Sequence, residues 1–360
     1  MWEKRSKRSL KRIMDKIRNA YCFDDILLSP SFSDIASRSD VSLASYLDAN
    51  IALKLPIISS PMDTVTESRM ASAMSRMGGL GIIHRYNSIE EQSELVRLAS
   101  RDGRWDAGAS IGVTGDFIDR AISLVSAGAN IICVDIAHGH HEMMRYALGI
   151  LRNTFGTKIH IMAGNVATLE GFNDLADWGA DSIKVGIGGG SICSTRIQTG
   201  HGIPTFQSIL DCSHSDRDAK IIADGGIRNS GDIVKALAAG ADFVMLGSIL
   251  SGATESPGSE ILLEGEKYKV YRGMASKDAQ IEWRGHMSSL EGVSSMVPVK
   301  GEVREILDDL ERGIRSGLSY SGARDIFDLQ GRASFIIQTS SGAIESSTHI
   351  NLQKKRVLMD

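Results

Sequence analysis

Eight short runs rich in Ile and Val recur along the chain, and each ends in small or polar residues. They lie in LPIISSPMD, GLGIIHR, AGASIGVTGD, ANIICVDIAHG, KIHIMAGNV, DSIKVGIGGG, AKIIADGGIR and ADFVMLGS. Amphipathic, helix-like stretches separate most of the runs, and three of these stretches close on a Gly-Ala pair, which is a helix-terminating signal. Because buried parallel strands are continuously apolar, the pattern predicts an α/β fold, a single (β/α)8 TIM barrel.

The composition is that of a globular protein with one large core, since 42% of the 360 residues are hydrophobic and 23% are charged. No apolar run approaches the length of a membrane span, so we expect no membrane partner. A net charge of −4 argues against nucleic acid as a partner. The four cysteines are scattered without a CxxC pair, which favours a reducing cytoplasm over a disulfide framework or a zinc site.

Residues 1–19 form a basic N-terminal extension with eight Lys or Arg against two acids, and they lack the apolar core of a signal peptide. Two interpretations stay open, a solvated helix or a contact with a polyanion or membrane surface.

The rest of the chain, residues 20–360, is predicted to be the barrel domain. Residues 251–301 are less regular and rich in Gly and Ser. We interpret them as containing a long active-site flap at about 274–300.

Barrels of this class carry their active sites at the carboxyl ends of the strands. The residues that follow the apolar runs are therefore expected to meet at one mouth; they are residues 59–63, 135–138, 164–165, 186–193, 224–226 and 247–248. The glycines at 225–226 and 247 follow the seventh and eighth runs, where barrels often bind a phosphate through backbone N–H groups. Ser191 adds a hydroxyl and Asp224 suits a ribose diol. The alternative is that these glycines only form turns.

Cys193 lies on a loop among glycines and polar residues, whereas Cys133 lies inside an apolar run. A lone loop cysteine is usually an inert thiol. A thiolate needs a partly exposed pocket that is electropositive or lined by hydroxyls, and Thr195 stands two residues further on. Cys193 is therefore a candidate nucleophile.

Two other chemistries are not indicated. His138, His140 and His141 form a small cluster, but no carboxylate–His spacing defines a metal geometry. No GxGxxG follows a strand and opens a helix, so a nicotinamide cofactor would have to lie across the barrel mouth.

Several motifs resemble the IMP dehydrogenase/GMP reductase family over roughly residues 20–350. They are SSPMDTVTE, GIGGGSICSTR, IIADGGIRNSGDIVKALAAGADFVMLGS, YRGM and FDDILLSP. The resemblance implies a purine nucleotide whose 5′-phosphate binds Ser191, Gly226, Gly247 and Ser248, whose ribose binds Asp224 and whose C2 accepts Cys193. It implies further substrate contacts at Ser59, Met62, Tyr271, Gly273, Met274 and Glu291. The nicotinamide cofactor is expected near Asp135, Ala137, His138, Asn165 and Gly186.

The family has two reactions, oxidation of IMP with NAD and reductive deamination of GMP with NADPH. Hydrolysis in the dehydrogenases depends largely on an Arg-Tyr pair in the flap, and this chain has no such dipeptide there, although Arg284 is present. It also leaves no room after the second strand for the tandem regulatory module that dehydrogenases usually carry. Thr195 and Glu291 match the acid pair of the reductases, although both also occur in many dehydrogenases.

Other features favour the dehydrogenase. SICSTRIQTG and the tail SGAIESSTHI resemble it. In that scheme the carbonyls of Gly188, Gly190 and Cys193 bind K+, and Glu345 and Ser346 of a neighbouring subunit complete the site. The interpretation adopted is an NADPH-dependent GMP reductase with Cys193, Thr195 and Glu291 as catalytic residues. The alternatives are an IMP dehydrogenase that uses NAD and a nucleotide-binding sensor without activity. The resemblance implies a homotetramer, with an octamer as an alternative.

Overall fold

The structure, a computed structural model, describes residues 17–100, 106–285 and 291–346. Most of the basic extension, including the helix expected there, lies outside the described residues. Arg18 is described, and its guanidinium forms an exposed ion pair with Asp211. All four cysteines are free thiols. No helix in the described ranges is long and apolar enough to cross a membrane.

The chain first forms three short strands outside the barrel, which are β1 (Ile26–Leu28), β2 (Ser45–Tyr46) and β3 (Ala52–Leu53). β2 and β3 pair as a hairpin, and its Leu47 and Ile51 pack in the same cluster as residues of the barrel interior. Asp48 of this hairpin contacts His160 at the start of a barrel strand. The hairpin therefore closes the N-terminal end of the barrel, opposite the predicted active site.

A closed barrel of eight parallel strands follows, as the sequence predicts. Its strands are β4 (Ile57–Ser59), β5 (Leu80–Ile83), β6 (Gly108–Ile111), β7 (Ile131–Asp135), β8 (His160–Val166), β9 (Ser182–Val185), β10 (Lys220–Asp224) and β11 (Phe243–Leu246). β11 pairs with β4 and closes the ring. Each strand coincides with one of the eight apolar runs, and nearly all of their residues are buried, so the prediction of a (β/α)8 barrel is confirmed.

Helices cover the outside of the barrel. They are α1 (Ser68–Arg76), α2 (Ile89–Ser100), α3 (Phe117–Ser126), α4 (Glu142–Phe155), α5 (Leu169–Asp177), the short α6 (Thr195–Thr199), α7 (Thr205–Cys212) and α8 (Ser230–Ala238). The predicted Gly-Ala terminations lie just after α3, α5 and α8. Gly128, Gly179 and Gly240 have φ of 111°, 106° and 114°. Only glycine adopts such values without strain, and for this reason the helices end there.

The segment after β11 is more regular than the sequence suggested. It contains a three-stranded antiparallel sheet of β12 (Ile261–Leu263), β13 (Glu266–Arg272) and β14 (Ser294–Pro298), with α9 (Lys277–Arg284) between the last two strands. β12 and β13 are joined by Glu264 and Gly265, both with positive φ, in a two-residue turn. Such a turn matches the twist of paired strands, so a stretch with the composition of a loop folds as a hairpin.

The chain ends by packing against the outside of the barrel. α10 (Val303–Tyr320), α11 (Ile326–Arg332), β15 (Phe335–Ile337) and α12 (Ser340–Glu345) follow the flap. α10 buries Leu307, Ile314 and Leu318, and β15 pairs antiparallel with β1.

Candidate active site

A cavity of about 390 Å³ opens at the carboxyl ends of the barrel strands. The predicted site residues that line it are Met62, Asp135, Ala137, Asn165, Gly186, Gly188, Gly190, Ser191, Cys193, Thr195, Asp224, Gly226, Gly247, Ser248, Tyr271, Gly273, Met274 and Glu291. Three larger clefts, of about 780, 740 and 400 Å³, lie elsewhere. The convergent polar groups are in the smaller cavity, which is therefore the candidate active site.

Cys193 begins a chain of hydrogen bonds that crosses from the barrel to the flap. Its thiol lies 3.2 Å from the hydroxyl of Thr195. That hydroxyl donates to the Oε2 atom of Glu291 at 2.8 Å. A carboxyl group is thereby connected to the thiol through one intervening hydroxyl, and the three groups lie within reach of one bound molecule.

Main-chain contacts fix this arrangement. The N–H of Ser194 donates to the carbonyl of Glu291, and the N–H of Val293 donates to the carbonyl of Ile192. The cysteine loop and the start of the flap's return strand thus pair over a short distance. A Cβ atom on Gly273 would lie 3.1 Å from the Cα of Gly292, so a larger residue would push the two segments slightly apart.

Lys184 is a buried lysine at the floor of the cavity. It lies in β9, is 2% exposed and forms ion pairs with Asp135 and with Asp224. Burial by itself would lower the pKa of Lys184, but the two carboxylates outweigh it and the pKa is raised. Lys184 is therefore held as an ammonium ion that neutralises much of the charge on the two aspartates.

Asn165 orients one of these carboxylates. Its side-chain N–H₂ group donates to Oδ2 of Asp224 at 2.8 Å and to the carbonyl of Gly186 at 2.9 Å. Asp224 also accepts from Lys184 at 3.4 Å. With these partners the carboxylate is fixed at the cavity wall, where it can accept hydrogen bonds from a diol.

The opposite corner of the cavity is lined by hydroxyls and main-chain groups. Tyr271 is buried, which raises the pKa of its phenol to about 12, while a hydrogen bond with Ser191 acts in the other direction. A Cβ atom on Gly247 would lie 2.9 Å from the hydroxyl of Tyr271 and 3.1 Å from that of Ser60. This corner suits an anion bound by neutral donors, because the backbone at Gly247 can approach closely.

Ser60, rather than Ser59, contributes its hydroxyl to the cavity. Ser59 is the last residue of β4, is fully buried and accepts a hydrogen bond from Thr66 at 2.9 Å. Ser60 lines the cavity, and its hydroxyl is buried without a partner among the described residues. Successive side chains of an extended strand point to opposite sides, which explains the shift of one residue from the prediction.

His138 does not line the cavity, contrary to the expectation of a cofactor contact. It is an exposed residue, and its ring lies 6.5 Å from that of His140. His140 is fixed by Asp174 at 2.8 Å. The loop after β7 therefore turns this histidine towards its neighbour on the outside, and only Asp135, Ile136 and Ala137 of that loop reach the cavity.

Glu345 and Ser346 lie at the end of α12, and no described contact joins them to the glycine loop at 186–190. The hydroxyl of Ser346 contacts Gln338 instead. Since the prediction places these two residues in a neighbouring subunit, it stays a prediction.

The flap covers one side of the mouth with an aromatic contact. Trp283 of α9 stacks on Tyr86, with ring centroids 5.5 Å apart and planes inclined by 11°. The hydroxyl of Tyr86 donates to the carbonyl of Met274 at 2.7 Å. Arg120 lies 5.9 Å from the Trp283 ring. The start of the flap and its helix are thereby held against the loop that follows β5.

Sequence reasoning placed Ser60 at the barrel mouth but assigned the substrate contact to Ser59, and it missed Lys184 and Arg85 as residues of the cavity. A lysine within the apolar run DSIKVG was a usable signal, because a charge in a buried strand is almost always paired. Arg85 follows the second apolar run and donates to the carbonyl of Asp135.

The closed barrel, with a thiol, an acid and a row of glycine loops at one mouth, defines the chain as a (β/α)8-barrel enzyme. Residues 20–349 match the family described as "IMP dehydrogenase / GMP reductase domain". The chain is 40% identical to an inosine-5′-monophosphate dehydrogenase of Cryptosporidium parvum, over 91% of this chain and 94% of the relative. It is 32% identical to a GMP reductase of Leishmania major, over 91% of this chain and 96% of the relative.

A solved structure is similar as well. It is a GMP reductase of Trypanosoma brucei in complex with guanosine 5′-monophosphate, with a TM-score of 0.89 and 32% identity over 93% of this chain and 99% of that chain. The chain therefore belongs to the IMP dehydrogenase/GMP reductase family. Like the other members, it is a nicotinamide-dependent oxidoreductase of purine nucleotides.

The region in which dehydrogenases usually carry a regulatory module is short in this chain. Only residues 84–107 separate β5 from β6, and α2 occupies half of them. The alignment with the Leishmania relative extends over 472 positions, so that protein has residues that this 360-residue chain lacks. The prediction that this chain is a member of the family without the regulatory module is therefore confirmed.

Proposed function

We propose that the protein is a GMP reductase, which converts GMP to IMP and ammonia with NADPH. The observation that carries the proposal is the chain of contacts from Cys193 through Thr195 to Glu291, at 3.2 and 2.8 Å. Reductive deamination requires a nucleophile at C2 of the purine and an acid close to the C2 amine. This chain of contacts supplies both from described residues.

The substrate is expected to lie with its phosphate at the hydroxyl-lined corner and its base at Cys193. Ser191, Gly226, Gly247 and Ser248 would bind the phosphate, with Ser60 as an additional donor, because its buried hydroxyl lacks a partner. Asp224, oriented by Asn165, would accept the ribose hydroxyls. In this orientation Met62, Tyr271, Gly273 and Met274 enclose the nucleotide.

In the first step the Cys193 thiol passes its proton through the Thr195 hydroxyl to the Glu291 carboxylate, along the direction of the two contacts. The sulfur attacks C2 and forms a carbon–sulfur bond, and Glu291 then holds a proton. The C2 amine takes a proton delivered from Glu291 through the Thr195 hydroxyl, the carbon–nitrogen bond breaks and ammonia leaves. In the second step a hydride at C2 forms a carbon–hydrogen bond as the carbon–sulfur bond breaks, and the thiolate is regenerated with IMP as product. The hydride is what a bound reduced nicotinamide supplies.

The part of the cavity lined by Ala137 and Gly186 has room for a flat cofactor ring. Ala137 and Gly186 are small, and Gly186 cannot carry a larger side chain because a Cβ atom there would lie 2.0 Å from the carbonyl oxygen of Asp224. Arg85 presents a guanidinium at the same mouth, suited to the anionic part of a dinucleotide. Asp135, Ala137, Asn165 and Gly186 are the residues of this chain that would hold the ring.

The second candidate is an IMP dehydrogenase that uses NAD. The relative that is 40% identical carries that name, and the same Cys193 can add to IMP. What this reaction needs in addition is a base for water, and Arg284 and Thr195 are the candidates in the chain.

We also expect a homotetramer and K+ at the carbonyls of Gly188, Gly190 and Cys193, with Glu345 and Ser346 of a neighbouring subunit.

One assay separates these functions. The purified protein is incubated with GMP and NADPH, and in parallel with IMP and NAD, each with and without K+, and reduced nicotinamide is followed at 340 nm. Oxidation of NADPH with release of ammonia in the first mixture is the expected result. Turnover in the second mixture alone would identify a dehydrogenase, and nucleotide binding without turnover in either would leave only the sensor.

A further inference from the structure

The phosphate corner of the cavity is formed in part by a single helical turn. After β11 the N–H groups of Leu250 and Ser251 both donate to the carbonyl of Gly247 at 3.0 Å. Gly247 and Ser248 begin this turn and line the cavity. A helical turn directs its first N–H groups to one end and its last carbonyls to the other. An anion in the cavity would meet the N–H end.

Lys300 occupies the carbonyl end of the same turn. Its Nζ atom donates to the carbonyl of Ile249 at 3.0 Å and to that of Ser248 at 3.4 Å. The main-chain N–H of Lys300 also donates to the carbonyl of Gly252. The ammonium group is thus attached to the residue that begins the anion-binding turn, although Lys300 is itself an exposed residue.

A second ammonium group lies behind the next turn of the same loop. Lys269 of β13 is 3% exposed, and its Nζ atom donates to the carbonyls of Ala253 at 2.9 Å, Thr254 at 3.2 Å and Ser256 at 2.8 Å. It is held by carbonyls in the way that a monovalent cation would be. Burial lowers the pKa of Lys269 and of Lys300.

Neither lysine forms an ion pair within the described part of the chain. The two acids near Lys269 have other partners, since Glu255 accepts from the N–H of Val303 and Glu260 pairs with Lys267 at 2.7 Å. Buried or partly buried lysines are normally matched by a carboxylate. The two ammonium groups are bound by carbonyl oxygens, and no carboxylate among the described residues pairs with their positive charge.

The corner of the cavity that would bind the phosphate has few positively charged side chains. The corner at Ser191, Gly247 and Ser248 offers neutral donors, and the cations that line the cavity are Arg85 and Lys184, of which Lys184 is shared by two aspartates. A phosphate dianion at this corner would be bound by hydroxyl and N–H groups. The other cations near it are Arg196 and Arg228, which line a neighbouring cavity that shares Ser191 and Ser248 with this corner.

Two arginines lie on the other side of the corner, in a small neighbouring cavity. Arg228 is compensated by ion pairs with Asp24 and Asp232. Arg196 has no acid partner among the described residues, and it donates to the carbonyl of Ile203 at 2.9 Å. Arg196 is therefore the competing source of positive charge, and the experiment includes it.

We propose that Lys300 and Lys269 are the electrostatic counterpart of the nucleotide's 5′-phosphate, acting through the loop that carries Gly247 and Ser248 rather than by direct contact. This inference rests on the proposed function, because it assumes that the corner binds the phosphate of a purine nucleotide. Both lysines are positioning residues. Their charges polarise the turn so that its N–H groups bind the dianion more strongly.

The test compares a nucleotide with the nucleoside that lacks the phosphate. Lys300→Met and Lys269→Met each keep much of the side-chain volume and remove the charge. Binding of GMP, IMP and guanosine to the full chain is measured by calorimetry. We expect each variant to weaken GMP and IMP binding about 3- to 10-fold, with guanosine affinity unchanged. Lys267→Met is the matched control, because it lies on the same strand, is exposed and removes the same charge.

The outcomes separate the possibilities. Equal losses for guanosine and GMP, or losses that track Tm, would show a structural role and overturn the proposal. Unchanged GMP binding in both lysine variants, with a loss in Arg196→Met, would assign the charge to Arg196 and overturn it as well. If the unaltered protein bound neither nucleotide, the proposed function itself would fail. Should Lys269→Met not fold, the partly solvated Lys300 still decides the question.

Discussion

The hydroxyl of Thr195 donates to the carboxylate of Glu291 at 2.8 Å, across 96 positions of sequence. The bond joins the segment that carries the Cys193 thiol to the flap residues that precede β14. Any movement of the flap that displaces Glu291 would disconnect the acid from Cys193. Under the proposed function, Glu291 can therefore act on the base bound at Cys193 only while the flap keeps this bond.

Glu291→Gln tests the assigned proton donor. The amide keeps the shape and the contact with Thr195 but cannot supply a proton, so turnover should fall by about 10²–10⁴-fold with little change in KM for GMP. Steady-state kinetics with GMP and NADPH measure this. Glu266→Gln, an exposed carboxylate of β13 that precedes the flap, is the control and should retain full activity. Near-native turnover in Glu291→Gln would remove Glu291 from the mechanism.

The thiols are expected to differ in reactivity. Burial raises the pKa of Cys133 and of Cys212 to about 12, and both are fully buried. Cys193 is partly exposed in the cavity. Iodoacetamide at pH 7.5 should therefore label Cys193, with protection by GMP, and leave Cys133 and Cys212 unlabelled, as read by peptide mass spectrometry. Labelling of Cys193 that GMP does not slow would contradict the placement of the base at this thiol.

The exchange of roles between Ser59 and Ser60 gives a paired prediction. Ser60→Ala removes a cavity hydroxyl that has no protein partner, so KM for GMP should rise about 3- to 10-fold, the value of one hydrogen bond, with Tm unchanged. Ser59→Ala removes the acceptor of the Thr66 hydroxyl inside the barrel and should lower Tm with little effect on KM. Thermal unfolding and kinetics on both variants decide it. The reverse pattern would restore the assignment made from the sequence.

His160, at the start of β8, should make the free energy of unfolding depend on pH. Burial lowers the pKa of His160, more than its hydrogen bond with Asp48 raises it. In the unfolded chain the histidine titrates near its ordinary pKa of about 6.5. Between the two values the unfolded state binds more protons, so the free energy of unfolding should fall as pH decreases from about 6.5 towards the folded pKa.

Urea unfolding at pH 7.5 and 5.5 measures this slope. His160→Gln should flatten it, while costing stability at both pH values through the lost contacts with Asp48 and Ser182. His201→Gln, an exposed histidine, should leave the slope as it is. A stability that rises towards pH 5.5 would mean that the contact with Asp48 outweighs burial.

Much of the site could be predicted from the sequence because a barrel gathers the ends of its strands. Once eight runs were recognised, residues such as Asp135, Asp224 and Gly247 had to meet at one mouth. The three-stranded sheet after β11 was harder to predict, since the turn at Glu264 and Gly265 is a weak signal within a polar stretch. The stacking of Trp283 on Tyr86 could not be predicted from the sequence, because Tyr86 precedes Trp283 by almost two hundred positions.

The sequence by itself determined the barrel, the glycine terminations of its helices and the presence of an accessible thiol, because these depend on local periodicity and backbone freedom. Only the tertiary structure decided that Lys184 serves two aspartates, that Ser60 rather than Ser59 faces the cavity and that Lys269 and Lys300 lie behind the phosphate corner. Those facts depend on the closure of the barrel, which brings together groups 40 or more positions apart, and on which side of a strand each residue falls. Neither is encoded in a short stretch of residues.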